Sequence, residues 1–167
     1  MPEITLSELL EAKEDRVRRR LILHQECPGT CLSLSLNIPG ARKDSPRIRA
    51  LFRYALDCIA ANLSVLTSQT VYGKTGPHAL IVVEEDAVTA KAIACHLETE
   101  KDYSRLLDID VYDATGKAVA SPDRKSGRGC FLCPELAVVC MREARHSPQE
   151  ISLGIEHLFT SFQTAMG

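Results

Sequence analysis

The sequence predicts an α+β domain: a mixed β-sheet of about four to five strands flanked by helices, with a cysteine-rich helical segment at about residues 121–167. Three observations carry this. Leu32, Leu34 and Leu36 alternate with Ser33 and Ser35, the two-residue period of a half-buried strand. Ala79 to Val83 is a compact apolar run, partly β-branched and short enough for a buried strand. Between them Ile48, Leu51, Phe52, Ala55, Leu56, Ile59 and Leu63 recur at the spacing of one helix face. A chain of 167 residues holds one such domain, taken here as 1–167.

The elements follow in chain order. Thr5 and Glu8 form a capping box ahead of Leu6, Leu9, Leu10, Val17, Leu21 and His24, whose spacing draws an apolar stripe on a first helix ending near Gln25. Arg16 and Arg18 to Arg20 then read as the solvent side of that helix, although a phosphate-facing patch has the same appearance. The strand from Cys31 stops at Asn37-Ile38-Pro39-Gly40, and Ser45-Pro46 supplies the cap and first residue of the second helix. Val71-Tyr72 reads as a short strand. Asp86 caps a third helix through Leu97, Leu107 to Tyr112 alternates again, and Lys117 to Ala120 returns after the turn at Asp113–Gly116 as a hairpin partner. Residues 121–129 read as a mobile loop or boundary. A helix from Pro134 to about Arg145 and a last one capped at Ser147 close the chain.

Hydrophobic residues make up 45% and charged residues 25%, so the chain buries a core. A net charge of -2 argues against a nucleic-acid coat or a basic membrane patch, so neither nucleic acid nor membrane is an expected partner. The first ten residues lack the apolar run of a signal peptide, and no stretch approaches a spanning helix, which points to a soluble cytoplasmic protein. Seven cysteines, an odd number, read as reduced thiols.

Two constellations carry chemistry. In Leu107-Asp108-Ile109-Asp110-Val111 the acids lie two apart on a strand, so both project from one face, about 6.5–7 Å apart at Cα, while the apolar residues pack inward. Such a pair suits Mg²⁺ shared with a phosphate; solvated decoration of an edge strand is the other reading. Cys130, Cys133, Cys140 and His146 have spacing that suits a structural zinc; packed free thiols and a redox pair stand beside it. Among the cations Lys43, Arg47, Lys74, Lys91, Arg105, Arg124, Arg128, Arg142 and Arg145, most are surface charges. Arg105, three residues before Asp108, is the one placed to reach a phosphate held there. Thr75-Gly76-Pro77 is a tight turn whose backbone can approach a ligand.

As an ordered set, Asn37-Ile38-Pro39-Gly40, Lys43, Thr75-Gly76-Pro77, Lys91, Arg105 through Val111, Cys130, Cys133, Ala137, Cys140, Arg142 and Arg145-His146 resemble the apo-citrate lyase phosphoribosyl-dephospho-CoA transferases, from roughly Leu9 to Ile151. The resemblance implies an enzyme that takes 2'-(5''-triphosphoribosyl)-3'-dephospho-CoA and joins its phosphoribosyl-dephospho-CoA portion to a serine of the apo acyl-carrier subunit of citrate lyase, releasing diphosphate. It implies catalysis by Asp108, Asp110 and Arg105, with Mg²⁺ on the two aspartates. Substrate binding would fall to Lys43, Thr75, Gly76, Lys91, Arg142 and Arg145. The fold expected by analogy is nucleotidyltransferase-like, with Thr75-Gly76 in place of a Gly-Ser turn and Glu84, Glu85 or Asp113 as a third acid. The alternatives are a zinc-stabilised module that binds a carrier protein without chemistry, and the equivalent transferase of malonate decarboxylase.

Overall fold

The computed structural model describes residues 4–40, 42–121 and 127–167, so Arg124 and most of the 121–129 segment lie outside the described residues. Helix α1 (Leu6–Glu26) begins with the reciprocal cap its sequence encodes: Thr5 Oγ1 accepts from the Glu8 amide at 3.2 Å, and the Thr5 amide donates to Glu8 Oε2 at 2.9 Å. Helix α2 (Pro46–Asn62) starts on Ser45, whose hydroxyl accepts from the Ile48 amide at 3.3 Å. It buries Ile48, Leu51, Phe52, Ala55 and Ile59, the larger of which contribute about 1.5–3 kcal/mol each. Helix α3 (Ala87–Leu97) is capped by the Asp86 carboxylate, which accepts from the amides of Val88 and Thr89.

Strands β1 (Thr30–Leu36), β2 (Val65–Gly73), β3 (Gly76–Val83) and β4 (Leu107–Tyr112) form one sheet in the order β2-β3-β1-β4. The expected α+β class and strand number hold, but the sheet is antiparallel throughout rather than mixed. Each helical crossover explains this. Helix α2 carries the chain from β1 to β2 with β3 between them, and α3 carries it from β3 to β4 with β1 between them. Strands running the same way are therefore never neighbours. This β-α-β-β-α-β succession is the split, ferredoxin-like arrangement.

Register gives the sheet two unlike faces. Leu32 pairs with Ile81 and Val111, and Leu34 with Ala79 and Ile109, an apolar face that packs on α2 and α3. The opposite face carries Ser33 beside Leu80 and Asp110, Ser35 beside Asp108, and Cys31 beside Val82 and Tyr112. Helix α1 covers part of this second face. Leu23 packs with Cys31, Leu80 and Val82, and the Arg20 guanidinium lies 3.7 Å from the centre of the Tyr112 ring and donates to the Gly116 carbonyl at 3.2 Å.

Helix α1 thereby reverses its expected orientation. Leu6, Leu10, Val17 and Leu21 are exposed, at 72%, 51%, 49% and 50%, whereas Arg16, Arg19 and Arg20 are half-buried. The face beneath it offers serines, a histidine and two aspartates, so cations meet it better than leucines would. Two expected elements also change. The Val71-Tyr72 strand is nine residues long, because its partner β3 is buried along its whole length and templates an edge strand of poor apolar pattern. The Lys117–Ala120 return is a single bridge, Tyr112 to Ala118.

The chain divides into two compact units, Met1–Val119 and Ala120–Gly167. In the second, the expected helix from Pro134 is shorter. Helix α4 spans only Ala137–Arg142, because the preceding residues bridge Gly129 to Leu136, and Ala144 at φ 47° ends the turn that follows. Helix α5 (Pro148–Met166) starts on the Ser147–Glu150 capping box and buries Ile155, Leu158, Phe159 and Phe162.

Candidate active site

A pocket of about 300 Å³ opens beside the start of β4 in the first unit. Lys13 and Arg16 of α1 form one wall, Lys43 and the Thr75-Gly76 turn another, and Asp108 lies among them. The close approach at the turn depends on glycine. Gly76 has φ +93°, and a Cβ there would lie 2.7 Å from the Lys43 carbonyl oxygen. Lys43 Nζ in turn donates to the Ile38 carbonyl, and burial pushes its ammonium below the usual lysine range.

Asp108 and Asp110 project from the same face of β4 while Leu107, Ile109 and Val111 are buried on the other. Asp108 is half-buried, accepts from Ser35 Oγ at 3.4 Å and lines the pocket; Asp110 is exposed, opposite Ser33 and outside the pocket lining. Arg16 responds to both features of the site. Desolvation and its neighbour Arg19 lower its guanidinium from the ordinary value, and the Asp108 carboxylate acts in the opposite direction.

Deeper under α1, His78 is only 2% exposed and its Nε2 lies 2.9 Å from Ser33 Oγ. Desolvation, with Arg16 and Arg19 adding repulsion, pulls it down to about 3, so it is neutral at physiological pH. Among the described residues, His78 Nδ1 and Arg19 Nη1 are buried without a hydrogen-bond partner. Neither His78 nor Lys13 was singled out by sequence reading. The signal for Lys13 and Arg16 was present as a three- and four-residue step from Leu9 to Leu23, masked by the leucines on the opposite side.

The other expected site residues lie elsewhere. Lys91 is buried on α3, where Nζ donates to the Ile109 carbonyl at 3.3 Å, and it does not line the pocket. Arg105 is half-buried in the short 3-10 turn Tyr103–Leu106 that leads into β4, also outside the pocket lining. Arg142 and Arg145 are exposed in the second unit, where Arg145 pairs with Glu143. Of the third acids, Glu85 accepts from the Ser64 amide at 2.9 Å and Asp113 holds the Thr115 and Lys117 amides of its turn; neither lines the pocket. Lys74 pairs with Glu8 at 3.1 Å.

The second unit gathers Cys130, Cys133, Cys140 and His146, whose ligand atoms all lie within 4.8 Å of one another. Cys133 Sγ is 3.4 Å from both Cys140 Sγ and His146 Nε2. A tetrahedral zinc, at about 2.3 Å from sulfur and 2.0–2.1 Å from nitrogen, sets ligands about 3.5–3.8 Å apart, so the donor set fits such a metal. Burial acts to raise the Cys130 thiol, but donation from the Leu132 and Cys133 amides prevails and lowers it, while burial and the neighbouring sulfurs raise Cys140. Amide donors of this kind stabilise a thiolate ligand. The cluster can hold a metal ion such as zinc.

Over residues 4–162 the chain matches the family described as apo-citrate lyase phosphoribosyl-dephospho-CoA transferase. The match includes all of α1 and most of α5, and so extends beyond the Leu9 to Ile151 stretch in which the sequence motifs lie. A probable apo-citrate lyase phosphoribosyl-dephospho-CoA transferase of Streptococcus pyogenes serotype M3 is 33% identical over 167 residues, covering 95% of this chain and 87% of the relative. One from Vibrio cholerae serotype O1 is 28% identical over 162 residues, covering 93% and 91%. Protein CitXG of Haemophilus influenzae is 31% identical over 162 residues, 93% of this chain but 35% of that longer protein. Among the described residues no helix is long and apolar enough to cross a membrane.

Proposed function

The chain belongs to the apo-citrate lyase phosphoribosyl-dephospho-CoA transferase family, and from that premise we propose that it attaches the prosthetic group of citrate lyase. The donor is 2'-(5''-triphosphoribosyl)-3'-dephospho-CoA, the acceptor a serine of the apo acyl-carrier subunit, and the setting the cytoplasm. The serine oxygen forms a bond to the phosphorus nearest the ribose, and the bond from that phosphorus to the next bridging oxygen breaks. Diphosphate leaves with the bonding electron pair, and the hydroxyl proton passes to a carboxylate, Asp108 or Asp110. In this reading the enzyme is a nucleotidyltransferase.

The observation that supports the site is the convergence of Lys43, Thr75, Gly76 and Asp108 on one pocket from three distant parts of the chain. Cations and backbone at such a wall neutralise charge on the transferred group and on the leaving diphosphate. Asp108 and Asp110 share a face and offer only oxygen donors, which suits magnesium; bound there, the ion would align the attacking and leaving oxygens. Arg105 is assigned to the same phosphates from the turn before β4. Zinc is assigned to Cys130, Cys133, Cys140 and His146 in a structural role, since four protein ligands leave no open position.

The test is the intact mass of apo carrier protein after incubation with the triphosphoribosyl donor. A gain of one phosphoribosyl-dephospho-CoA unit with release of diphosphate is expected from the citrate lyase carrier and not from the malonate decarboxylase carrier. An unmodified citrate lyase carrier overturns the reading. Undiminished transfer by the Asp108→Asn, Asp110→Asn double variant overturns the roles given to the acids.

A further inference from the structure

We infer that the inward basic edge of helix α1, Lys13 and Arg16, together with Lys43, is the seat of the donor's terminal diphosphate. The inference rests on the transferase reading above and adds to it the residues that hold the departing group. It begins with the orientation of α1. The helix turns Leu6, Leu10, Val17 and Leu21 to solvent and Arg16, Arg19 and Arg20 toward the sheet while Leu23 stays buried, an arrangement that costs hydrophobic burial and so needs a compensating ligand or structural contact.

Part of that compensation is internal. Arg20 rests on Tyr112 and donates to the Gly116 carbonyl, and Arg19 pairs with Asp15 at 2.8 Å. Lys13 and Arg16 have no such contact: among the described residues neither makes a hydrogen bond or an ion pair, although both line the pocket. Three cations, Lys13, Arg16 and Lys43, therefore face one carboxylate, Asp108, and Arg16 and Lys43 are half-buried. Uncompensated positive charge in a partly desolvated cleft is unfavourable until an anion enters.

The size and composition of the cleft narrow the class of anion. A volume of about 300 Å³ lies at the low end for small-molecule sites, too small for a whole dephospho-CoA derivative and suited to its polyphosphate end. The planar guanidinium of Arg16 can engage two phosphate oxygens, and the lysines act as point charges. Asp108 sits at the border of this basic wall, where a metal ion on its carboxylate would meet the same phosphates. With the terminal diphosphate against α1, the reacting phosphorus falls at the Asp108 side of the pocket.

The experiment is equilibrium binding of inorganic diphosphate and of tripolyphosphate, by titration calorimetry with magnesium present, to the full chain and to Lys13→Ala, Arg16→Ala and Arg18→Ala. Arg18, exposed on the same helix, is the control. Loss of Lys13 or Arg16 is expected to weaken tripolyphosphate binding at least about tenfold and to flatten its dependence on salt, with Arg18→Ala within about twofold of the parent. Arg16→Lys and Lys13→Arg, which keep the charge, are expected to recover part of the affinity and guard against a merely misfolded variant. Binding by Lys13→Ala and Arg16→Ala equal to the parent overturns the inference while leaving carrier modification intact. Binding that depends on these two residues in a protein that modifies no carrier keeps the anion seat and overturns the transferase reading instead.

Discussion

Gly76 stands so close to Lys43 that a Cβ built on it would lie 2.7 Å from the Lys43 carbonyl oxygen. The contact pins the loop carrying one pocket cation against the turn beside it on the same wall, and it works only for a residue without a side chain at φ +93°. Gly76→Ala is expected to lose about 2–4 kcal/mol, combining backbone strain with the clash. Gly116→Ala is the comparison, since Gly116 has φ +82° and no atom within 4 Å of its would-be Cβ. It should lose only the backbone part, about 1–2 kcal/mol. Urea unfolding of both variants checks this, and equal losses would show that the Lys43 contact is slack.

On the other side of the sheet, α3 grips the residue between the two acids. Glu98 Oε1 accepts from the Ile109 amide at 2.8 Å, and Lys91 Nζ donates to the Ile109 carbonyl at 3.3 Å. Both side chains are buried, so at Ile109 the edge strand β4 has its outward amide and carbonyl satisfied by a helix where a further strand would otherwise pair. Glu98→Ala strands a buried amide and is expected to lose about 1–3 kcal/mol, with Glu98→Gln, which keeps an acceptor, losing less. Lys91→Met removes a buried charge but strands the Ile109 carbonyl, and is expected to lose about 1–3 kcal/mol. It should leave tripolyphosphate affinity within about twofold, whereas a lysine that binds substrate directly would lower it severalfold.

The elements whose signal is local were legible in the sequence. The caps at Thr5, Ser45, Asp86 and Ser147 all form as their residues predict, because each is decided within four residues. The alternation in β4 also places Asp108 and Asp110 on one face. The orientation of α1 was not legible, since leucines at helical spacing normally face a core and only the polar sheet face reverses that preference. Pairing direction was equally hidden: it depends on which strands the crossovers skip, and no residue of β1 or β3 records that. The pocket joins Lys13, Lys43, Gly76 and Asp108, separated by some thirty residues at each step, a juxtaposition only the topology creates.

The cysteine cluster should couple metal to folding of the second unit. Of α4 only Cys140 is buried, so a metal held by the four candidate ligands would supply much of what orders this segment. The protein as isolated is expected to carry about one zinc per chain by elemental analysis. Cys133→Ser and His146→Ala should each lower zinc content and leave residues near the cluster open to proteolysis. Full zinc content in both variants would remove these residues from the ligand set. Gly154 gives a metal-independent control, because a Cβ there would lie 2.6 Å from the Leu132 side chain at the knuckle; Gly154→Ala is expected to shift the knuckle without abolishing zinc.

His78 makes the stability of the first unit dependent on pH. Its folded-state value is about 3, against 6.5 for the free side chain, chiefly because burial under α1 disfavours the cation and Arg16 and Arg19 repel it; Asp15 opposes them. Between these values the unfolded chain binds the proton and the folded chain does not, so stability rises with pH across the window and is lost as pH falls below about 6.5. The contribution reaches at most about 1.4 kcal/mol per pH unit. His78→Gln cannot take the proton in either state. The difference in unfolding free energy between parent and variant, followed from pH 7 to pH 4, should therefore slope in favour of the variant as pH falls. A difference that stays flat would mean that His78 takes up its proton in the folded protein, with Ser33 or a rearranged Asp15 stabilising the imidazolium.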